Sequence, residues 1–372
     1  MAGDADTHQE AWQGLAGHSV DRVQAAPDLP SFPCWPIAVS HICDSPVVPN
    51  GLGPSLRSPP DGGFLIRFRP IAAISCCLAL LVIASPAMPA LQDPLVEPDG
   101  ATLGDDLVRS ALGIVLGSSG NLRALIGTPA SLAADFVLQP LLTGISLGAP
   151  GIQPLHRPAP DGDSLVVVTL ESLDAIQGAR FAAYRVGRWP TRGLAARDPR
   201  YAPPPGFILV TPENEATAVS KRFRLRDFLT HDQPGVWPKV LVLSPTLLDK
   251  LELIGEELDR RGLPSGLHVM SGFRTPQYNA LGVGPKGGRA SASRHMYGDA
   301  ADVIVDMNGD GVMDDLDGDG RSTFRDARVL YAVAEAVEAR HPDLVGGLSP
   351  YRATAAHGPF VHVDARGTRT RW

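Results

Sequence analysis

Two imidazoles and a carboxylate near the end of the chain are the residues best suited to do chemistry. His295 and Asp302 fall within Ser293-Arg294-His295-Met296-Tyr297-Gly298-Asp299-Ala300-Ala301-Asp302, and His362 falls within Phe360-Val361-His362-Val363-Asp364. Three nitrogen and carboxylate donors, with a fourth position left to water, form the usual hydrolytic zinc site. A lone histidine–aspartate spacing is more often accidental than metal-binding. Ser271-Gly272-Phe273-Arg274 upstream and His362 downstream give this one its weight. Zinc held here would lower the pKa of a bound water to about 7 and polarise a carbonyl. Arg274, a permanent planar cation, can stabilise an oxyanion or grip a carboxylate. Ser293 can hydrogen-bond a peptide. The water's proton needs an acceptor. His357 stands on a loop ahead of Gly358-Pro359, and Asp364 shares a strand face with His362 as base or as orienter of that ring.

A second donor set follows at once. Asp306, Asn308, Asp310, Asp314 and Asp317 occupy positions 1, 3, 5, 9 and 12 of a calcium loop, with Gly311 at the sharp turn and the Val312 carbonyl at position 7. An overlapping register uses Asp315, Asp317, Asp319, Gly320 and Asp326. Aspartate reaches less far than glutamate at the final position, so affinity is expected to be lower than with glutamate. So many carboxylates repel one another without a cation. A solvated acidic loop is the plain reading; a calcium-stabilised insertion over 306–326 is preferred. Oxygen-only donors suit a hard cation and a structural role, whereas zinc prefers the histidine site.

These side chains need elements to hold them. Ser244 and Pro245 open a helix whose stripe is Leu247, Leu251, Ile254 and Leu258, and Gly262 and Pro264 end it. Leu267 to Met270 reads as a strand, with His268 as strand packing. Val303-Ile304-Val305 continues a strand headed by Asp302. A second helix runs from about Asp326 to Arg340, and Phe360 to Asp364 closes the chain as a strand. Tyr351 and Trp372 read as packing residues.

With those motifs in order, the chain resembles the zinc peptidases of the D-alanyl-D-alanine carboxypeptidase and murein endopeptidase superfamily. That group includes VanX-type dipeptidases, phage endolysins and the hedgehog signalling domain. The resemblance rests on Ser293-x-His295-x-x-Gly298-x-Ala300-x-Asp302, on Ser271-Gly272-Phe273-Arg274 before it and on strand-borne His362 after it, over about residues 240 to 372. It implies an α+β domain, a small antiparallel sheet flanked by helices, with one zinc. It implies cleavage of peptidoglycan stem peptides containing D-amino acids. By the same match His295, Asp302 and His362 are the ligands, and Ser293 and Arg274 face substrate. Many relatives carry a glutamate three residues before the last ligand, where Pro359 stands here. His357, which resembles the histidine of the murein endopeptidase branch, is the preferred base, and Asp364 the other candidate. The expected function is that of a zinc metallopeptidase. The alternative is a non-catalytic, zinc- and calcium-containing module that binds the cell wall.

The remainder sets the context. Over 372 residues the net charge is -7, so no basic field points to nucleic acid. The four cysteines, Cys34, Cys43, Cys76 and Cys77, all precede a cysteine-free remainder, which suits an oxidising compartment. Residues 1–64 read as disordered or as a mis-assigned extension. Arg67-Phe68-Arg69 and the apolar run Ile71 to Ala84 read as a signal peptide or anchor at 65–90, implying export to the periplasm or cell envelope, with membrane contact only there. Residues 91–163 read as a linker with short helices, 164–240 as an accessory β-rich module, and 241–372 as the peptidase domain.

Overall fold

The computed structural model describes residues 103–285 and 287–372, which lie in one compact unit, Ala90–Trp372. The N-terminal extension, the signal or anchor at 65–90 and the four cysteines lie outside the described residues.

Helix α1 (Leu103–Leu116) leads to strand β1 (Ala124–Gly127), the short helices α2 (Pro129–Ala134) and α3 (Gln139–Leu142), and strands β2 (Gly151–Pro154) and β3 (Val166–Thr169). β3 lies between the other two, parallel to β1 and antiparallel to β2. The sheet therefore crosses the boundary drawn at 163/164. What reads in sequence as a linker supplies two of its three strands, and a core of its own around Ala111, Val115, Leu132, Leu141, Leu165 and Val167. Residues 164–240 are not a β module of their own. They continue through β4 (Arg180–Phe181), β5 (Tyr184–Arg185), α4 (Leu194–Arg197), β6 (Ile208–Val210) and β7 (Lys239–Leu241), and β6 pairs only with β7. Their apolar side chains, Tyr184, Phe207 and Phe228 among them, join the same core as the C-terminal part.

The C-terminal part comprises α5 (Pro245–Arg260), β8 (Leu267–Ser271), α6 (Pro276–Leu281), β9 (Ala300–Val305), α7 (Phe324–Arg340), β10 (Gly347–Tyr351), β11 (Phe360–Asp364) and β12 (Thr370–Arg371). The sheet order is β12-β10-β11-β9-β8. Pairing is antiparallel from β8 to β10, and β12 runs parallel to β10. The architecture is α+β at this level.

The expected stripe of α5 is fully buried at Leu247, Leu251, Ile254 and Leu258, each side chain contributing about 2 kcal/mol of burial. Ser244 stands at the N-cap without a side-chain capping bond. Its N–H instead donates to the Gly298 carbonyl at 2.9 Å, so the start of α5 is tied to the loop that carries His295. α7 begins two residues earlier than expected, because Thr323 caps it and Asp326 returns the bond as a capping box. Asp302 is the third residue of β9 rather than its head: Ala300 and Ala301 already pair with Asp364 and Val363. His268 is exposed, on the outward side of β8.

Candidate metal centre

Strand register brings the first donors together. Asp302 on β9 lies directly opposite His362 on β11 and opposite Ser271 on β8, so side chains on that face stand about 5 Å apart at their Cβ atoms. His295 arrives from a short 3-10 turn, Arg294–Tyr297, between α6 and β9. Gly298 closes that turn with φ 71°, a left-handed conformation. A Cβ there would lie 2.3 Å from the Val242 carbonyl oxygen. Arg294 secures the turn from beneath: its guanidinium pairs with Asp299, donates to the Arg200 carbonyl, and lies 4.9 Å from the Tyr201 ring centre and 4.7 Å from that of Tyr297. Trp189 donates its indole N–H to the Met296 carbonyl at 2.7 Å.

The three donors converge. His362 Nδ1 is 3.0 Å from Asp302 Oδ1, His295 Nε2 is 3.3 Å from the same oxygen, and the two nitrogens are 3.3 Å apart. Ligand atoms on a tetrahedral zinc, each about 2.0–2.2 Å from the ion, stand roughly 3.3–3.5 Å from one another. Two sides of the triangle match that spacing, and the third is slightly short, as a hydrogen bond would make it. The residues therefore fit a zinc ion. All three are buried.

Each imidazole is fixed by its other nitrogen. His295 Nδ1–H donates to the Gly272 carbonyl at 2.7 Å, leaving the Nε2 lone pair facing the triad. Gly272 can occupy this place because a Cβ on it would meet the Phe228 backbone at 2.6 Å. His362 Nε2 faces Asp364 Oδ2 at 3.2 Å, which leaves Nδ1 facing Asp302 and His295. Burial outweighs the attraction of Asp302 and holds His295 below the ordinary imidazole range, in the neutral form a metal needs. Burial works to lower His362 too, but hydrogen bonds to Asp302 and Asp364 prevail and raise it. Its Nδ1 position, between Asp302 and His295, is one that a proton or a cation can hold. Burial would raise Asp302, yet His295 and His362 keep it well below the usual carboxylate range.

Arg274 takes the other oxygen of Asp302. Its Nη2 pairs with Asp302 Oδ2, and its Nε donates to Ser271 Oγ at 3.0 Å. Nη1 has no partner among the described residues. Ser293, half-buried, is the N-cap of the His295 turn, and its hydroxyl makes no capping bond.

The two candidate bases differ sharply. Asp364 is fully buried and saturated. It accepts from Gly347 N–H at 2.7 Å and from Arg366 Nε at 2.9 Å, in addition to His362. Burial works against its charge, but His362 and Arg366 hold it ionised far below the ordinary range. A carboxylate so bound orients His362 and has no lone pair left for a water proton. His357 is half-buried, shares its Nδ1 with the Gly358 carbonyl at 2.8 Å, and sets its ring edge-on to Phe360 at 4.9 Å. It makes no direct contact with the triad.

Several supporting residues escaped the sequence reading. Arg366 could have been inferred from its spacing two residues after Asp364 on a strand end. Lys250, wholly buried on α5, donates to Glu338 at 2.5 Å and to the Asp364 carbonyl at 2.6 Å, bracing the end of β11. Nothing in the sequence places it there.

The acidic insertion folds as two like loops. Asp306 accepts from Gly309 and Gly311 N–H at 2.7 and 2.8 Å, and Asp315 from Gly318 and Gly320 at 2.7 and 2.6 Å. Of the carboxylates, Asp315, Asp317 and Asp326 come within metal-binding reach of each other. Asp306, Asp310 and Asp314, with Asn308 and Val312 between them, form no such group among the described residues, and the Asp306 and Asp310 side chains accept from backbone N–H groups. Asp319 also spends Oδ1 on a backbone N–H, that of Arg321. Arg325 pairs with Asp317 at 2.7 Å and offsets part of the negative charge.

Comparison of the chain with family models, with curated proteins and with solved structures finds no match.

Proposed function

We propose that the chain is a zinc metallopeptidase of the hedgehog and D-alanyl-D-alanine peptidase type, exported to the cell envelope, that hydrolyses peptide bonds in peptidoglycan stem peptides or cross-links. The observation that carries the reading is the triangle of His295 Nε2, Asp302 Oδ1 and His362 Nδ1, with sides of 3.0 to 3.3 Å and each ring turned by a second bond. The motif resemblance supplies the substrate class. Bound there, zinc supplies a nucleophilic water at neutral pH and Lewis-acid polarisation of the scissile carbonyl.

The chain's own residues do the rest. Asp364 and the Gly272 carbonyl keep both imidazoles in the ligand tautomer. Arg274 steadies Asp302 with one edge and offers Nη1 to a substrate oxygen or carboxylate. Ser293 is left free to accept or donate a bond to the stem peptide. With Asp364 committed to Arg366 and His362, His357 is the residue assigned to proton transfer. Asp315, Asp317 and Asp326 are read as a structural calcium site in the second register, giving a cation-dependent insertion beside β9.

The lack of contact between His357 and the triad favours the second reading, a non-catalytic zinc module that binds the cell wall. Incubation with purified muropeptides, followed by mass spectrometry, separates the two. Loss of a terminal D-alanine or opening of a cross-link, abolished by His295→Ala along with bound zinc, is the expected result. Intact muropeptides at high protein concentration would overturn the peptidase reading, and retained binding would leave the module.

A further inference from the structure

The lobe built from α1, β1, α2 and α3 carries almost no charge. Between Ser110 and Leu155 the ionisable side chains are Arg123 and Asp135 alone, in a chain of which 20 % is charged. Arg123 is 1 % exposed and is spent on Asp161 and Asp163. Asp135 Oδ1 is turned back onto the N–H groups of Val137 and Leu138, at 3.0 and 3.3 Å. Surface charge keeps like copies of a protein apart in water, and this stretch supplies very little of it.

The same stretch sets an apolar recess beside an apolar projection. The recess is a groove of about 270 Å³, walled by Ile114 and Val115 at the end of α1, Leu122 and Leu125 around β1, Leu132 of α2, and Leu138. Its polar lining residues are Asp135 and the exposed Ser131. A cavity of about 150 Å³ with aliphatic walls is enough to hold a benzene ring, so this groove has room for a phenylalanine side chain. Phe136 follows one lining residue, Asp135, and stands two before another, Leu138. It does not enter the groove and is 76 % exposed, and Ile114 on the wall is 50 % exposed.

A projection beside a recess of its own size is self-complementary. Two copies related by a two-fold axis can each place Phe136 in the other's groove, which is how an isologous contact is built. A bilayer fits this surface less well, because interfacial segments set Lys or Arg beside their apolar face, and the one cation of this stretch is buried. A net charge of -7 opposes association of like copies in general, and a face with so few ionised groups is where that opposition is least. We propose that this lobe is a homodimer contact in which Phe136 of each copy fills the groove between Ile114 and Leu138 of the other. Two rings burying about 200 Å² each make a contact smaller than that of a permanent dimer, so the dimer is reversible and concentration-dependent. The inference does not depend on the peptidase reading.

The test places a photo-crosslinking residue at the projection, Phe136→p-benzoylphenylalanine, in the full chain dispersed in a large excess of detergent micelles. Irradiation is expected to give a covalent dimer whose yield rises with protein concentration and whose cross-link maps to the walls between Ile114 and Leu138. The same residue at Leu194, 52 % exposed and outside the lobe, should give none. Adding Ser131→Arg sets a charge at the groove and should cut the dimer yield by about tenfold, with an unchanged thermal midpoint showing that the variant is folded. No dimer at any soluble concentration, equal yields from positions 136 and 194, a cross-link outside the groove, or a yield that folded Ser131→Arg leaves unchanged overturns the inference. Irradiation in the membranes of the expressing cells that yields only adducts to lipid or to a different protein overturns it as well.

Discussion

Asp364 shows how much of the centre rests on a residue that need not touch the metal. It faces His362 Nε2 while Arg366 and the Gly347 N–H hold it in place. Replacing it with asparagine keeps the shape and removes the charge. Zinc affinity of Asp364→Asn, read by competition with a chelating dye, is expected to fall 10- to 100-fold, as for other residues that orient ligand histidines. The same carboxylate also links stability to pH. Its folded pKa lies far below the ordinary value of about 3.9. Its contribution is therefore complete above that value and is lost as pH falls below it. Thermal midpoints of the wild type should drop more steeply below pH ~4 than those of Asp364→Asn; parallel curves would contradict the assignment. His357→Ala should reduce kcat by about 100-fold or more if it transfers the proton, with zinc still bound. The donors themselves were legible in sequence because their types and order are distinctive. Asp364 was legible only as an alternative, since what decides between base and orienter is Arg366, a contact that exists only once β11 has turned at its end.

The same limit appears among the elements. α5, β8, β9, α7 and β11 were all readable, because each carries its own periodicity or cap. Their joints were not. The loop that carries His295 is held by Trp189 against Met296 and by Ser244 against Gly298, two contacts made across long sequence separations, and Gly298 leaves no room for a side chain beside the Val242 carbonyl. Gly298→Ala would force a left-handed residue to carry a Cβ against a backbone oxygen. The strain alone is about 1–2 kcal/mol, and the close contact adds to it. Chemical denaturation should show that loss, accompanied by lower zinc content. Lys250→Met removes the buried partner of Glu338 and the donor to the Asp364 carbonyl. A loss of about 3 kcal/mol is expected, at the low end of the range because Arg371 and the Gly346 N–H still satisfy Glu338.

Across the whole molecule, an ion held by His295, Asp302 and His362 would join β9, β11 and the loop before β9, so its removal should be felt globally. Free zinc at a thousand times its Kd adds about 4 kcal/mol to the folded state. Chelation should therefore lower the thermal midpoint by a margin that zinc restores, and His295→Ala should show no such response. Among the described residues, 103–169 were the least legible part. β1 and β2 are four residues each, contain glycine or proline, and find their partner only at β3, so no local pattern announces a sheet. That sheet also bears on where the polypeptide can be cut. An expression fragment begun at residue 164, where a module boundary looks natural, would keep β3 but strip the neighbour from each of its flanks, leaving two rows of unpaired backbone groups and a bared apolar surface. Such a fragment should self-associate on purification, whereas one begun before Leu103 should remain monodisperse.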